Sequence, residues 1–176
     1  MRRTDLVRDC GSCAALCCVA TTFDASEDFA FAKPAGVRCP YLTRRCACGI
    51  HKELAVRGFL GCVAYDCHGA GQRATRAFAA EDEATRLAAF LVLRGVHELL
   101  WLLAGARVVC TSEGLMAELA ACVAELEAIA ESEANALVEV DLAPLHGRAH
   151  ELLRRVGAAL GGGGRLVAIS RLRAAR

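Results

Sequence analysis

Little in the sequence marks a common activity. Excess charge is missing: 21 basic and 20 acidic side chains leave a formal net charge of +1, so nothing global draws the chain to nucleic acid or an anionic membrane. The opening MRRTDLVRDC has no apolar run of seven or more before a small-residue cleavage site, and no secretory signal is expected there. A helix crossing hydrocarbon needs about 20 residues with few charges. The most apolar stretch, 87–110, is interrupted by Arg94, His97, Glu98 and Arg107 and reads as a buried helix. No internal repeat is visible. His68-Gly-Ala-Gly71-Gln72 lacks a third glycine, a preceding strand and a Lys-Ser/Thr, so it is a poor phosphate cradle. Its glycines are expected to give the backbone room to approach the metal loops. Together these absences point to a cytoplasmic chain with neither membrane nor nucleic acid as partner.

Cysteine is what the chain does have. Of eleven, nine fall between Cys10 and Cys67, and only Cys110 and Cys122 lie beyond. Such clustering means a disulfide framework in an oxidising compartment or a thiolate metal site in a reducing one. An odd total and the missing export signal favour metal. Thiolate is soft and anionic, which suits zinc and iron, whereas calcium and magnesium prefer oxygen.

Two halves follow different rules. Residues 10–72 have no sustained period, only isolated aromatics punctuated by Pro34, Gly36, Pro40, Gly49, Gly58, Gly61, Gly69 and Gly71. The expectation is that metal bonds, rather than apolar burial, hold this part together. From Arg73 the composition turns to Ala, Leu, Glu and Arg, all good helix formers. Leu87, Leu91, Leu99, Leu102 and Leu103 recur at helical spacing over 84–106. Thr111 or Ser112 can cap a helix carrying Leu115, Leu119, Cys122, Leu126 and Ile129. A third helix starts near Asp141 with Pro144 in its first turn, directs Leu145, Leu152, Val156 and Leu160 inward, and ends at the glycines 161–164. The fold class expected is mainly α: an irregular cysteine-rich metal-binding segment (1–72) packed on an antiparallel helical bundle (73–164), with a basic tail (165–176) read as a frayed end. Eight acids and no Lys or Arg occupy 113–141, against Arg148, Arg154 and Arg155 on the third helix. The reading is two solvated faces that also pair across the bundle.

Cys10 and Cys13 have the two-residue spacer that lets a turn aim two sulfurs at one ion. Adjacent side chains diverge by about 100° on a helix, so Cys17 and Cys18 are not expected to serve one mononuclear ion together: Cys18 turns towards a second centre or simply packs. If the segment after Gly11 is helical, Cys13 and Cys17 share a face. Eight thiolates divide into two four-sulfur sites, or one cluster with spare thiols. His51 and His68 each lie near a cysteine and could complete a Cys3His site, although a hydrogen-bonding role is the commoner one. His146 and His150 are spaced i, i+4 without the adjacent Glu of H-E-x-x-H, which disfavours hydrolytic zinc. His97 reads as a satisfied core or edge residue, and Cys110 and Cys122 as packing.

The order Cys10-x2-Cys13-x3-Cys17-Cys18, then Cys39-Pro-x-Leu42, Cys48-x-Ile50, Cys62 and Cys67 resembles the bacterial zinc- or iron-chelating cysteine-rich domain, a family that includes the cysteine-rich part of flagellin lysine methylases. The resemblance implies eight ligands: Cys10, Cys13, Cys17, Cys18, Cys39, Cys48, Cys62 and Cys67. Cys46 is outside the pattern. Over about residues 4–105 the chain looks more like the cysteine-rich leader before some pentapeptide-repeat arrays, where the following stretch is also helical and has a segment similar to Leu99-Leu100-Trp101. No A-(D/N)-L-x-x repeats follow Gly164, so functions of a repeat helix, such as mimicking duplex DNA, do not carry over. Gly58-Phe-Leu-Gly61 stands where the wider family has Arg-Pro before its seventh cysteine.

Three functions follow as expectations. One is a metal-binding module with a structural or partner-docking role, its cofactor zinc by a small preference or else an iron–sulfur cluster. Another is an iron–sulfur-dependent redox or protein-modifying enzyme, although no SAM-binding pattern or supported catalytic base is present. The third is metal trafficking or sensing.

Overall fold

A computed structural model describes residues 3–160. The basic tail 165–176 and the glycine run 161–164 lie outside the described residues.

Helices dominate, as expected. After short 3-10 turns at Arg3–Leu6 and Cys10–Ser12 come α1 (Cys17–Ala20), α2 (Leu60–Ala64) and α3 (Ala70–Ala77). The long α4 (Glu83–Val109), α5 (Glu113–Ala130), α6 (Ala134–Val138) and α7 (Leu142–Ala159) complete the chain. Among the described residues β structure is limited to isolated antiparallel bridges, Phe23 with Lys33, Ser26 with Phe29 and Leu42 with Cys48.

The long helices begin where capping chemistry dictates. The Asp82 carboxylate accepts from the Thr85 amide, Ser112 Oγ from Leu115 and Asp141 from Ala143, each satisfying an amide that the first turn leaves without a partner. α4 is the central element. It packs against α3, α5, α6 and α7, and receives α1 and the Arg3–Leu6 turn from the cysteine-rich half. Its Phe90, Leu93, Val96, Leu99, Leu100 and Leu103 are buried. By length and composition α4 could cross a membrane, yet half of its most apolar window is buried inside this fold.

The expected inward residues largely hold. Leu99, Leu103, Leu115, Leu119, Cys122, Leu126, Leu145, Leu152 and Val156 are buried. Leu87, Ile129 and Leu160 are partly buried against the core and Leu102 is half-buried, while Leu91 is 41% exposed, because the inward face of α4 runs through Phe90 and Leu93 on either side of it. Arg148 meets Glu125 and Arg155 meets Glu118, each at 2.6 Å, so the acidic and basic faces do pair across α5 and α7.

The cysteine-rich half departs from its expected dependence on metal alone. Its aromatics are gathered, not isolated. Phe23 and Phe29 stack at 4.3 Å, Phe31 and Tyr41 both meet Phe59 edge-on, and Phe31 also touches Phe23. Phe59 is only 2% exposed. Gly61 is required here, since a Cβ on it would lie 2.1 Å from the Phe29 ring. The hydrophobic core is continuous across the halves, from Leu6, Leu16 and Ala20 through Ala70 and Ala74 to Val156.

Candidate metal centres

The first four cysteines do not lie on one helix. Cys13 is extended and Ala15 has φ +57°, so the chain turns sharply between the Cys10–Ser12 turn and α1. Cys13 and Cys17 therefore share no helix face, but the turn still brings them together. Asp9 holds the Cys10 turn, its carboxylate accepting from the Gly11 amide at 3.0 Å and the Ser12 hydroxyl at 2.6 Å.

This loop is clamped onto α3. The Ala14 amide donates to Thr75 Oγ1 at 2.9 Å, and Gln72 bonds both Asp9 and Val7 through its side-chain amide. The clamp sets Cys13 beside Cys67, three residues before α3 begins. A Cβ on Gly71 would stand 2.8 Å from Cys13 Sγ and 3.5 Å from Cys67 Sγ, so both sulfurs border one small space that the glycine keeps open. Gly69, at φ +82°, faces the Asp5 carbonyl, 2.2 Å from where its own Cβ would stand. The glycines of His68-Gly-Ala-Gly71 thus give the backbone room, as their spacing suggested.

The neighbours that shift Cys10, Cys17, Cys48 and Cys62 relate the sulfurs further. Burial pushes Cys10 up, and Cys67, Cys13 and Cys18 add to the effect while Arg8 opposes it. Cys17 is raised first by its hydrogen bond with Cys18 and by burial, then by Cys18, Cys13 and Cys67. Cys62 is pushed up to about 11 by burial, then by Cys18, Cys39 and Cys48. Cys48 is raised by burial, with Cys18 and Cys39 adding, while the Ile50 amide bonds its sulfur and opposes them. Two neighbourhoods follow: Cys10 and Cys17 with Cys13 and Cys67 by α3, and Cys48 and Cys62 with Cys18 and Cys39 in the irregular segment, with Cys18 acting on members of both. Main-chain bonds support the second group, since the Cys39 amide donates to the Cys18 carbonyl at 2.9 Å and the Leu42–Cys48 bridge follows.

The groups meet at the doublet. The Cys17 thiol donates to Cys18 and, with Lys33 close by, lowers Cys18 to about 7. The doublet is therefore in mutual contact, and the remaining neighbours of its two sulfurs differ. Among the described residues no three His, Cys, Asp or Glu side chains close tightly enough to enclose an ion; the sulfurs are neighbours, not a finished tetrahedron. No disulfide joins any of the eleven cysteines.

Two buried polar groups lie among the thiols, and their chemistry suits thiolates. The Tyr65 hydroxyl is buried without a hydrogen-bond partner. Burial raises its titration, and Cys17, Cys67 and Cys13 raise it further, so it lies by the first group as an unused O–H donor. Lys33, 2% exposed, lies by the second group, where Cys39, Cys18, Cys17 and Cys62 act on its ammonium against the downward pull of burial. Buried donors and cations of this kind belong beside anions.

The remaining candidates have other contacts. His68 stacks on Trp101 at 5.1 Å. His51 is exposed in a 3-10 turn just after Cys48. His146 and His150 contact only edge to face, at 5.8 Å. Cys122 is buried in the core, and Cys110 Sγ approaches the Ser112 carbonyl at 3.6 Å. His97 is half satisfied: Nδ1 meets the His68 carbonyl, but Nε2 is buried without a partner. Sequence reasoning did not single out Lys33 or Tyr65, because neither belongs to any cysteine motif.

No protein-family model matches the chain, and no solved structure matches it. It is 39% identical over 107 residues to YybG, an uncharacterized protein of Bacillus subtilis (strain 168). The match covers 56% of this chain and 38% of that relative, so the chain spans well under half of the relative's length.

Proposed function

We infer that this is a cytoplasmic metal-binding protein that holds metal through two groups of four cysteine thiolates and has a structural or partner-docking role. The ligands are Cys10, Cys13, Cys17 and Cys67 in one group, and Cys18, Cys39, Cys48 and Cys62 in the other. The observation that supports this best is the gathering of the eight sulfurs into two neighbourhoods, one beside the gap at Gly71 and one beside the Lys33 ammonium. The likeness to the zinc- or iron-chelating domain and to the leader of pentapeptide-repeat arrays supports the same eight. Zinc accepts four thiolates in a tetrahedron without assembly machinery and is preferred slightly over an iron–sulfur cluster. A bound metal would add its binding free energy to the folding of the irregular segment.

Anaerobic purification of the full chain, followed by zinc, iron and sulfide analysis, tests this reading. Two zinc equivalents, or iron with matching sulfide, are expected. A reduced protein carrying neither, and taking up neither on addition, overturns it. The exposure of Cys10 favours a second reading, metal trafficking or sensing, because an exposed thiolate can pass its metal to an incoming ligand. Rapid exchange of every equivalent with a competing chelator would select that reading.

A further inference from the structure

The chain has two lysines, Lys33 and Lys52, and Lys33 is the buried one. Its main chain pairs with Phe23 in both directions, N–H to O at 2.8 and 3.0 Å. This bridge leads the side chain under the segment, where Nζ lies 5.6 Å from the centre of the Phe23 ring. Nζ donates to three carbonyls, Val19 at 3.1 Å, Pro34 at 3.0 Å and Val37 at 2.9 Å. A neutral amine has two hydrogens to donate, so three acceptors specify the ammonium.

A buried ammonium is costly unless an anion compensates it. Among the described residues no carboxylate pairs with Lys33. Two of its carbonyl acceptors, Val19 and Val37, flank Cys18 and Cys39, whose main chains are bonded at 2.9 Å, and the thiols that act on its ammonium are Cys39, Cys18, Cys17 and Cys62. Three of these belong to the second thiolate group. The first group has no such cation: Arg8, which acts on Cys10, is exposed and bonds the Tyr65 carbonyl, and the buried donor beside that group is the neutral Tyr65 hydroxyl. Cys10 is also the exposed member of the set. Four thiolates around a divalent metal carry a net charge of −2, and a fixed ammonium offsets half of it.

We propose that Lys33 is the built-in counter-ion of the Cys18, Cys39, Cys48 and Cys62 group, and that it makes this group the tighter metal holder of the two. The inference rests on the two-group metal reading above. Metal leaves in a fixed order: the Cys10 group yields its ion first, and the Lys33 group retains its own as the framework of the segment.

Zinc release from the loaded full chain to a chromogenic chelator tests this. The wild type is expected to release zinc in two phases, with Cys10→Ser removing the fast one and Cys62→Ser the slow one. Lys33→Met speeds the slow phase and weakens that site by about tenfold or more, the usual size of an outer-shell effect on metal affinity. It leaves the fast phase unchanged, and the charge-keeping Lys33→Arg restores slow release. A slow phase that Lys33→Met does not alter overturns the proposal while leaving the metal reading intact. A wild type that binds no zinc or iron overturns the metal reading, and this inference with it. Should Lys33→Met fail to fold, acetic anhydride labelling of the wild type decides. Lys52 labels in both states, and Lys33 labels only after the second group is emptied; equal labelling of Lys33 in both states overturns the proposal.

Discussion

His97 Nδ1 lies 2.6 Å from the main-chain oxygen of His68, which ties the core helix α4 to the residue that follows Cys67. The ring is 1% exposed. Burial holds its titration down at about 4, against an ordinary 6.5, with the His68 carbonyl opposing and Arg73 and His68 nearby. Glu131, paired with Arg73 at 2.7 Å, is the acidic neighbour. Between pH 6.5 and 4 the unfolded chain binds a proton that the folded one refuses, so stability falls as pH drops through that window and is flat above it. The expected loss is roughly 3 kcal/mol from pH 7 to pH 4. Denaturant melts of metal-free protein should show this slope, and His97→Gln, which keeps a donor for the carbonyl, should flatten it.

Gly71→Ala sets two effects against each other. Alanine favours a helix by about 1 kcal/mol over glycine, but its Cβ would stand 2.8 Å from Cys13 Sγ. The metal-free chain is expected to keep its stability, while the first thiolate group weakens by about tenfold because one sulfur must swing away. Chelator competition on both forms separates the effects. Unchanged fast-phase release would rule out Cys13 as a ligand there.

Phe59 is the hub of the aromatic cluster. Phe59→Ala is expected to cost about 3–5 kcal/mol, lowering the denaturation midpoint of the full chain even with metal removed. Gly61→Ala drives a methyl into the Phe29 ring and should cost about 1–3 kcal/mol as overpacking. If neither moves the metal-free transition, metal alone orders the segment.

Cys46 and Cys110 stand outside both sulfur groups. Serine at either position should leave the metal content of the purified chain unchanged, while serine at Cys39 or Cys67 should remove about one equivalent of two. Elemental analysis of the four variants reads this directly.

Much of the helical half was legible because its signals are local. Ser112 and Asp141 cap where their side chains predict, and the leucines of α5 keep their spacing in the core. α3 and α6 escaped notice because eight and five residues are too few to establish a period. Leu91 fitted a spacing pattern that admits either of two adjacent faces, and packing against α6 and α7 chose the other.

The site was legible as a set and not as a partition. Motif spacing selects eight cysteines, but Cys67 joins Cys13 through the clamp of Gln72 and Thr75, and no local pattern encodes that meeting. The aromatic cluster was hidden for the same reason. Phe23, Phe29, Phe31, Tyr41 and Phe59 sit at irregular intervals, and only the folded loops bring them together. Lys33 looked like any surface lysine until its three carbonyl acceptors were seen.

The continuity of the core from Leu16 through Ala74 to Val156 bears on how the protein can be dissected. Severing the chain near residue 72 would split α3 and strip Leu6, Leu16 and Ala20 of their cover on one fragment, leaving α4 bare on the other. Each piece would present an oily scar to its neighbours and tend to clump, so the thiolate region is best studied attached to its helices.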